Sequence, residues 1–374
     1  MTACYRIDAS TTVDARIVDL FCELAPIEGL SGQERAVADY VHRFARNTGL
    51  RIREEPVPPG TGENAGNLLA VHGECPRLAL LAHMDTARST RGTTPIRTED
   101  RISSDGTAPL GVDNRAGMAI LLRLLELAAC GELRASPFCV ALTTSEETTL
   151  AGSRRLQLPS SVQMAVVFDS SLRPGNVITA AHGASRFEVT IEGRPAHAGL
   201  APEKGINAIA AAGRALAALP QGRLDDITTA NVGRIEGGTA VNVVCDRVRL
   251  EGEIRSQSTE RIATQLEEFR RIFEESCGKV GAGVTFTSSW EFLPYTVQAE
   301  QAVFRRVEHA IHAAGLNMTP CVSAGGSDAN SLNARGLETV NVGIGAQNPH
   351  SDAEFILLED LERSLEIAAH LVRG

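Results

Sequence analysis

Lysine is nearly missing from this chain. Of 36 basic residues in 374, only Lys204 and Lys279 are lysines. Neither sits in a G-x-x-x-x-G-K-[ST] loop, which excludes that kind of phosphate cradle. Neither follows a buried strand, as a Schiff-base lysine would. The G-x-S-x-G elbow and the H-E-x-x-H zinc motif are absent too. "GIGAQN" (343–348) starts like a dinucleotide turn but lacks the third glycine, and it reads as a loop. The eight cysteines are scattered without a C-x-x-C pair, so they read as mostly buried free thiols. No apolar run approaches the roughly 18 residues of a membrane span. The N-terminal stretch shows no basic segment followed by an apolar one, and a cytoplasmic protein is expected. With a net charge of −10, a pI near 5.5 and no basic run, nucleic acid and anionic membrane are poor partners.

What is present is alternation. Residues 12–25 read as a helix, followed by Ser31 and Glu34 as an S-x-x-E capping box for the next helix. Segments 66–73 and 77–85 read as paired strands with a turn between them. A long apolar helix covers 115–129, and apolar strands follow at 138–147 and 164–171. This strand–helix alternation predicts an α/β fold with a mostly parallel sheet flanked by helices. From 185 the pattern changes to strand, helix, two strands, helix, strand, which is the order of a ferredoxin-like α+β module. The expected division is 1–182, an inserted 183–293, and 294–374.

Several apolar segments of the first type end in acids or imidazoles. "LALLAHMDTA" (78–87) ends in His83 and Asp85, which share one face of a strand because side chains alternate. Glu146 and Glu147 follow the 138 strand, and Asp169 closes the 164 strand. Asp113 precedes the long helix, and "NPHSDAEF" contributes His350. Open α/β sheets place their sites at the carboxyl ends of strands. Imidazole and carboxylate together suit Zn²⁺, and also Mn²⁺ or Co²⁺. Two such cations need about five ligands, one of them shared. A further carboxylate must stay off the metals to carry a proton.

The segments "AHMDT", "GVDNRAG", "TTSEETTLAGS", "FDSS", "GRPAHAGLAPEKGINAI", "GGTAVNVVCDRV", "GGSDANSLNARGLETVNVG" and "NPHSDAEF" occur in order from about Leu24 onward. In this the chain resembles the dinuclear zinc metallopeptidase family of tripeptidase T, carboxypeptidase G, succinyl-diaminopimelate desuccinylase and aminoacylase. "PAHAGLAPEKGINAI" and "GGSDAN" are most similar to its tripeptidase T-like branch. The resemblance implies a zinc exopeptidase-like catalytic domain with an inserted lid and dimerisation domain. One divalent metal ion would be held by His83, Asp113 and Asp169. A second would be held by Asp113, Glu147 and His350, with Asp113 bridging. Glu146 would be the general base acting on a bridging water, and Asp85 would orient His83. In the lid, His197 would stabilise the oxyanion, often across a dimer interface. Asn242, Arg255, Gly326 and Ser327 would meet substrate, Arg255 as a carboxylate clamp.

The resemblance also implies a cis peptide at Asp113–Asn114. Asn114 stands where many relatives carry a second acid, and Thr148 and Thr149 replace a smaller or apolar pair. The expected activity is hydrolysis of an amide in a short peptide. An N-acyl- or N-carbamoyl-amino-acid substrate is the alternative, and a non-catalytic dimeric binding protein a third. The expected assembly is a homodimer.

Overall fold

The computed structural model describes residues 14–373. The chain divides into two compact units. One comprises residues up to Ala180, Thr296–Val322 and those from Ser327. The other comprises Ala181–Tyr295 with the short loop Ser323–Gly326.

The first unit is built on a large mixed sheet. Its strands run in the order Ile52–Glu54, Leu68–His72, Phe138–Thr143, Leu78–His83, Met164–Ser170, Glu338–Gly343, Asn176–Ala181 and Tyr295–Thr296; Thr319–Ser323 also pairs with Asn176–Ala181. The four central strands, 138–143, 78–83, 164–170 and 338–343, are parallel to one another. All six residues of Leu78–His83 and all six of Phe138–Thr143 are buried. That explains their continuous apolar runs, since central parallel strands are covered on both faces. The expected hairpin of 66–73 with 77–85 does not form. Phe138–Thr143 lies between the two strands, antiparallel to one and parallel to the other. A local turn signal cannot report a strand that arrives about 55 residues later.

The helix Val112–Ala129 is buried along most of its length. Gly117 permits its close approach to the sheet, because a Cβ there would overlap Asn114 Oδ1 and the carbonyl of Phe168. The first helix spans Ala15–Leu24 and is capped by Asp14, whose carboxylate accepts from Arg16 N–H at 2.8 Å. Residues 12 and 13 of the expected helix lie outside the described residues. The S-x-x-E box at Ser31 and Glu34 is not formed. Glu34 sits at the N-cap of Arg35–Thr48 without a side-chain cap bond, and both side chains are used elsewhere. A small antiparallel sheet of Ile96–Arg97, Arg101–Ser103 and Phe355–Leu357 completes this unit.

The second unit is an antiparallel sheet with two helices on one face. Its strand order is Gly222–Asp225, Thr228–Gly237, Arg247–Ser256, Gly183–Glu192 and Gly283–Phe292. Without the short Gly222–Asp225 strand this is the expected ferredoxin-like order. Strand alternation puts Phe187, Val189 and Ile191 inward, against Val248, Leu250 and Ile254. The helices Ala208–Ala218 and Thr259–Gly278 close this core with Ala211, Ala215, Ile262, Phe269 and Phe273.

Among the seven cysteines described, all are unpaired. Only Cys139, Cys245 and Cys277 are buried, while Cys75 and Cys130 are exposed, so "mostly buried" overstates it. Cys139 packs inside a central strand, whereas Cys75 and Cys130 fall in turns at element ends. No helix among the described residues is long and apolar enough to cross a membrane.

Candidate metal centre

The parallel strands deliver their terminal residues to one edge of the sheet. His83 is the last residue of its strand, and Asp169 the last but one of its own. Glu146 and Glu147 open a single helical turn just beyond Phe138–Thr143. Asp113 sits in the first turn of Val112–Ala129 with non-helical backbone angles, and its peptide to Asn114 is cis, as the resemblance implied.

Asp113 divides its two carboxylate oxygens between two neighbourhoods. Oδ1 lies 2.9 Å from His83 Nε2, and that nitrogen lies 3.3 Å from Asp169 Oδ1. Oδ2 lies 3.5 Å from His350 Nε2, which is 3.1 Å from Glu147 Oε1. Donor atoms of His83, Asp113 and Glu147 all fall within 4.8 Å of one another. These are the two triplets anticipated from sequence, meeting at Asp113. Glu147 Oε1 is buried and accepts no hydrogen bond among the described residues, although it faces an imidazole nitrogen.

The tautomer of His83 follows from its other nitrogen. Nδ1 lies 3.0 Å from the main-chain carbonyl of Asp85 and donates to it, so Nε2, which faces Asp113 and Asp169, is the nitrogen that would give up its proton to a cation. The Asp85 carboxylate is farther from Nδ1, at 3.4 Å. Its oxygens accept instead from Glu146 N–H (3.0 Å), Glu147 N–H (3.1 Å) and the Ser31 hydroxyl (2.6 Å). Glu34 extends the pattern by accepting from Ser145 N–H at 2.9 Å, at a residue whose φ is +53°. Three consecutive backbone N–H groups of the turn carrying Glu146 and Glu147 are thus bound by buried carboxylates. This is the use to which the supposed capping pair is put.

Five carboxylates, those of Asp85, Asp113, Glu146, Glu147 and Asp169, crowd into this pocket, and their electrostatics demand positive charge. Burial opposes the His83 imidazolium, but Asp113, Asp169 and Asp85 outweigh it and hold that ring well above its ordinary value. Asp113 and Glu147 raise His350 to about 10. Burial, then the charge of Asp113, pushes Asp169 up to about 7. Burial likewise drives Glu146 well above the usual carboxylate range, against the pull of His83. A pocket that holds His83, His350, Glu146 and Asp169 toward their protonated forms while keeping Asp113 and Asp85 ionised is one in which divalent cations displace protons. The donor set fits such cations: two imidazoles and three carboxylates, with one carboxylate shared.

Several supporting residues were not read from sequence. Asn341 Nδ2 donates to Asp169 Oδ2 (3.3 Å), and its Oδ1 accepts from Ser170 N–H (2.9 Å). Asn114 donates to Asp169 Oδ1 at 3.2 Å, so the residue standing where many relatives carry a second acid steadies the Asp169 carboxylate. A polar residue in the apolar run "VNVG" was a signal that could have found Asn341. Arg115 is fully buried, and its guanidinium donates to the carbonyls of Met84 and Ile27. Asp328 is buried and accepts from the Thr143 hydroxyl. Burial raises its carboxyl above the ordinary value.

Of the remaining residues anticipated from sequence, all but Ser327 belong to the second unit. In the second unit, His197 and Asn242 are on adjoining exposed loops joined by Ala198 N–H to Asn242 O at 2.9 Å. His197 Nδ1 accepts from Gly199 and Leu200 N–H (3.1 and 3.2 Å), so its proton resides on Nε2. Arg255 pairs the Nε–Nη2 edge of its guanidinium with Glu253 (3.0 Å each), donates from Nη1 to the carbonyl of Ala324 (3.2 Å) and lies over the Phe292 ring. Gly326 is half-buried in the Ser323–Gly326 loop. Ser327 belongs to the first unit and caps the helix Asp328–Ala334 in a reciprocal box with Asn330.

Residues 179–280 match the family model of the M20 peptidase dimerisation domain. Over 363 residues the chain is 30% identical to the uncharacterised protein YqjE of Bacillus subtilis, covering 96% of this chain and 98% of that one. A tripeptidase from Staphylococcus aureus superposes with a TM-score of 0.90 at 28% identity, covering 96% of this chain and 98% of the other. The aminopeptidase PepT from Bacillus cereus does so with 0.87 at 29% identity and the same coverage. With this likeness running the length of the chain, and with the ligand geometry above, the protein belongs to the M20 metallopeptidase family, in its peptidase T-like branch.

Proposed function

We propose that this protein is a metal-dependent exopeptidase of the tripeptidase T kind, hydrolysing a terminal amide bond of short peptides in the cytoplasm. The observation that carries the reading is the split of Asp113, one oxygen toward His83 and Asp169 and the other toward His350 and Glu147. His83, Asp113 and Asp169 would hold one divalent cation, and Asp113, Glu147 and His350 the other, with Zn²⁺ the expected ion. Two cations so held supply Lewis acidity to the scissile carbonyl and lower the pKa of a nearby water.

The chain's own groups do the rest. Glu146 stands beside the ligands without a place in either triplet. Its raised carboxyl is suited to taking a proton from water and passing it to the leaving amine. Asp85 keeps Glu146 in position through the backbone of its turn. His197 presents Nε2–H as a donor to a developing oxyanion. Asn242, Arg255, Gly326 and Ser327 are assigned to substrate. Arg255 already shares its fork with Glu253, so a substrate carboxylate would have to displace or share that partner. The dimerisation-domain match, together with exposed Leu200, Ile209, Ile235 and Val241 in the same unit, supports a homodimer.

The test is a substrate panel with cation-loaded enzyme: free-amine tripeptides, the same tripeptides N-acetylated, dipeptides, and N-acyl and N-carbamoyl amino acids. Turnover of free-amine tripeptides with loss on acetylation is expected. Turnover of acylated or carbamoylated amino acids alone would replace this reading with the amidohydrolase one.

A further inference from the structure

We propose that Glu354 is a positioning residue that yokes the loop of the shared ligand Asp113 to the loop of His350, and thereby sets the affinity of the second cation. The inference rests on the two-cation reading above. Glu354 is only 2% exposed and reaches into neither triplet. Its Oε2 accepts from Gly111 N–H at 2.6 Å and Val112 N–H at 3.2 Å. Its Oε1 accepts from His350 N–H at 2.7 Å. One carboxylate therefore holds three backbone groups, those just before Asp113 and that of His350 itself.

Both anchor points have positive φ, which glycine adopts freely and histidine does not. Gly111 has φ +69° and His350 φ +65°. For a side-chain-bearing residue such as His350 the left-handed region is unfavourable and persists only when surroundings enforce it. Charge-assisted bonds from a buried carboxylate provide that enforcement. Glu354 is itself fixed: its carbonyl accepts from Ser104 N–H at 3.1 Å, and the next residue begins the Phe355–Leu357 strand.

The two cation sites depend on this yoke unequally. In the first triplet, His83 and Asp169 lie at the ends of central strands, and Asp169 is braced by Asn114 and Asn341. In the second, His350 comes from a loop and its side chain is 46% exposed. Loosening Glu354 should release His350 while leaving the first triplet supported. Backbone-directed carboxylates of this kind need no charge at the metal, only a fixed span between two loops.

The experiment is a Co²⁺ titration of the metal-stripped full chain, followed by its visible spectrum, with unfolding midpoints measured alongside. Wild type, Glu354→Gln, Glu354→Asp and His350→Ala are compared, and the step lost in His350→Ala identifies the second site. In Glu354→Gln the amide oxygen can serve one side only. Glu354→Asp keeps the charge but cannot span both loops, and it carries the test if the Gln variant does not fold. Both are expected to weaken the second step by about 10- to 100-fold and to leave the first within about threefold, with turnover restored by excess cation. Equal weakening of both steps in Glu354→Gln with wild-type binding in Glu354→Asp would mean a charge effect and overturn the yoke. Unchanged steps in both variants, while the wild type binds two ions, would overturn it and leave the proposed function standing. A wild-type chain that binds no pair of cations would overturn both.

Discussion

Replacing Asp85 by Asn probes how the turn of Glu146 and Glu147 is held. The side chain is fully buried and accepts three hydrogen bonds, from Ser31 Oγ at 2.6 Å, Glu146 N at 3.0 Å and Glu147 N at 3.1 Å. An asparagine keeps one oxygen, enough for Glu146. Its NH₂ group then faces Glu147 N–H, donor against donor, while the Ser31 hydroxyl can rotate to accept. One buried N–H is left without an acceptor, at about 1–3 kcal/mol, and the charge-assisted character of the other bonds is lost. A destabilisation of about 3 kcal/mol is expected by urea unfolding. The catalytic effect should be of similar size. The turn carries the proposed proton-transfer group and a proposed ligand, and displacing such groups by about an ångström costs about 100-fold. Turnover at saturating cation should therefore fall about 100-fold. Ser31→Ala removes one contact and leaves the turn bonded, so its cost should be about 1 kcal/mol and less than tenfold in turnover. If Asp85→Asn had a kcat within twofold of wild type, or no lower than Ser31→Ala, the assignment of Asp85 to the turn would be wrong.

Phe187 is fully buried between Phe269 (ring centroids 5.5 Å) and Phe286 (5.6 Å) in the second unit. Phe187→Ala should cost about 3–5 kcal/mol by denaturant unfolding, with cation binding by the first unit preserved. Burial opposes ionisation of Glu54, but Arg35, His42 and Gly66 N–H outweigh it and hold the carboxyl at about 2. Its folded pKa lies below its unfolded one, so the stability it supplies is full above the ordinary value near 4.5 and is lost as pH falls toward about 2. Comparing wild type with Arg35→Ala from pH 5 downward, the wild type should lose about 2 kcal/mol more across that window. Burial pushes the Cys139 thiol up to about 12, while Cys75 and Cys130 are exposed. Brief alkylation of the native protein should label Cys75 and Cys130 and spare Cys139, read by peptide mass.

What sequence could convey follows from how each residue acts. His83, Asp113, Glu146, Glu147 and Asp169 stand at the ends of apolar runs, so their abrupt polarity marks them. His350 sits in a loop, so no apolar run marks it, and only the company of the other residues and the family resemblance pointed to it. Ser31 and Glu34 have the spacing of a local cap, yet Ser31 binds Asp85 and Glu34, besides the nearby Gly32 N–H, binds Ser145, 54 and 111 residues away. Nothing local distinguishes the two outcomes, because the competing acceptor positions exist only once the sheet has formed. Glu354 is harder still: it binds backbone 243 residues distant, and a backbone N–H leaves no mark in a sequence. The strand order failed for the same reason, with Phe138–Thr143 inserted between two consecutive strands. The alternating pattern of the second unit was legible, since one buried face imposes a period of two.

The central claim is that two divalent cations, with Glu146 as proton carrier, hydrolyse a peptide amide. The most direct measurement counts cations bound per chain while tripeptide turnover is followed, starting from metal-stripped protein, for wild type beside Glu146→Gln. Two cations are expected in both proteins, with turnover appearing only as they fill in the wild type and a loss of at least about 100-fold in the variant. Wild-type turnover that persists without cations, or a Glu146→Gln variant that binds both and remains fully active, would contradict the claim.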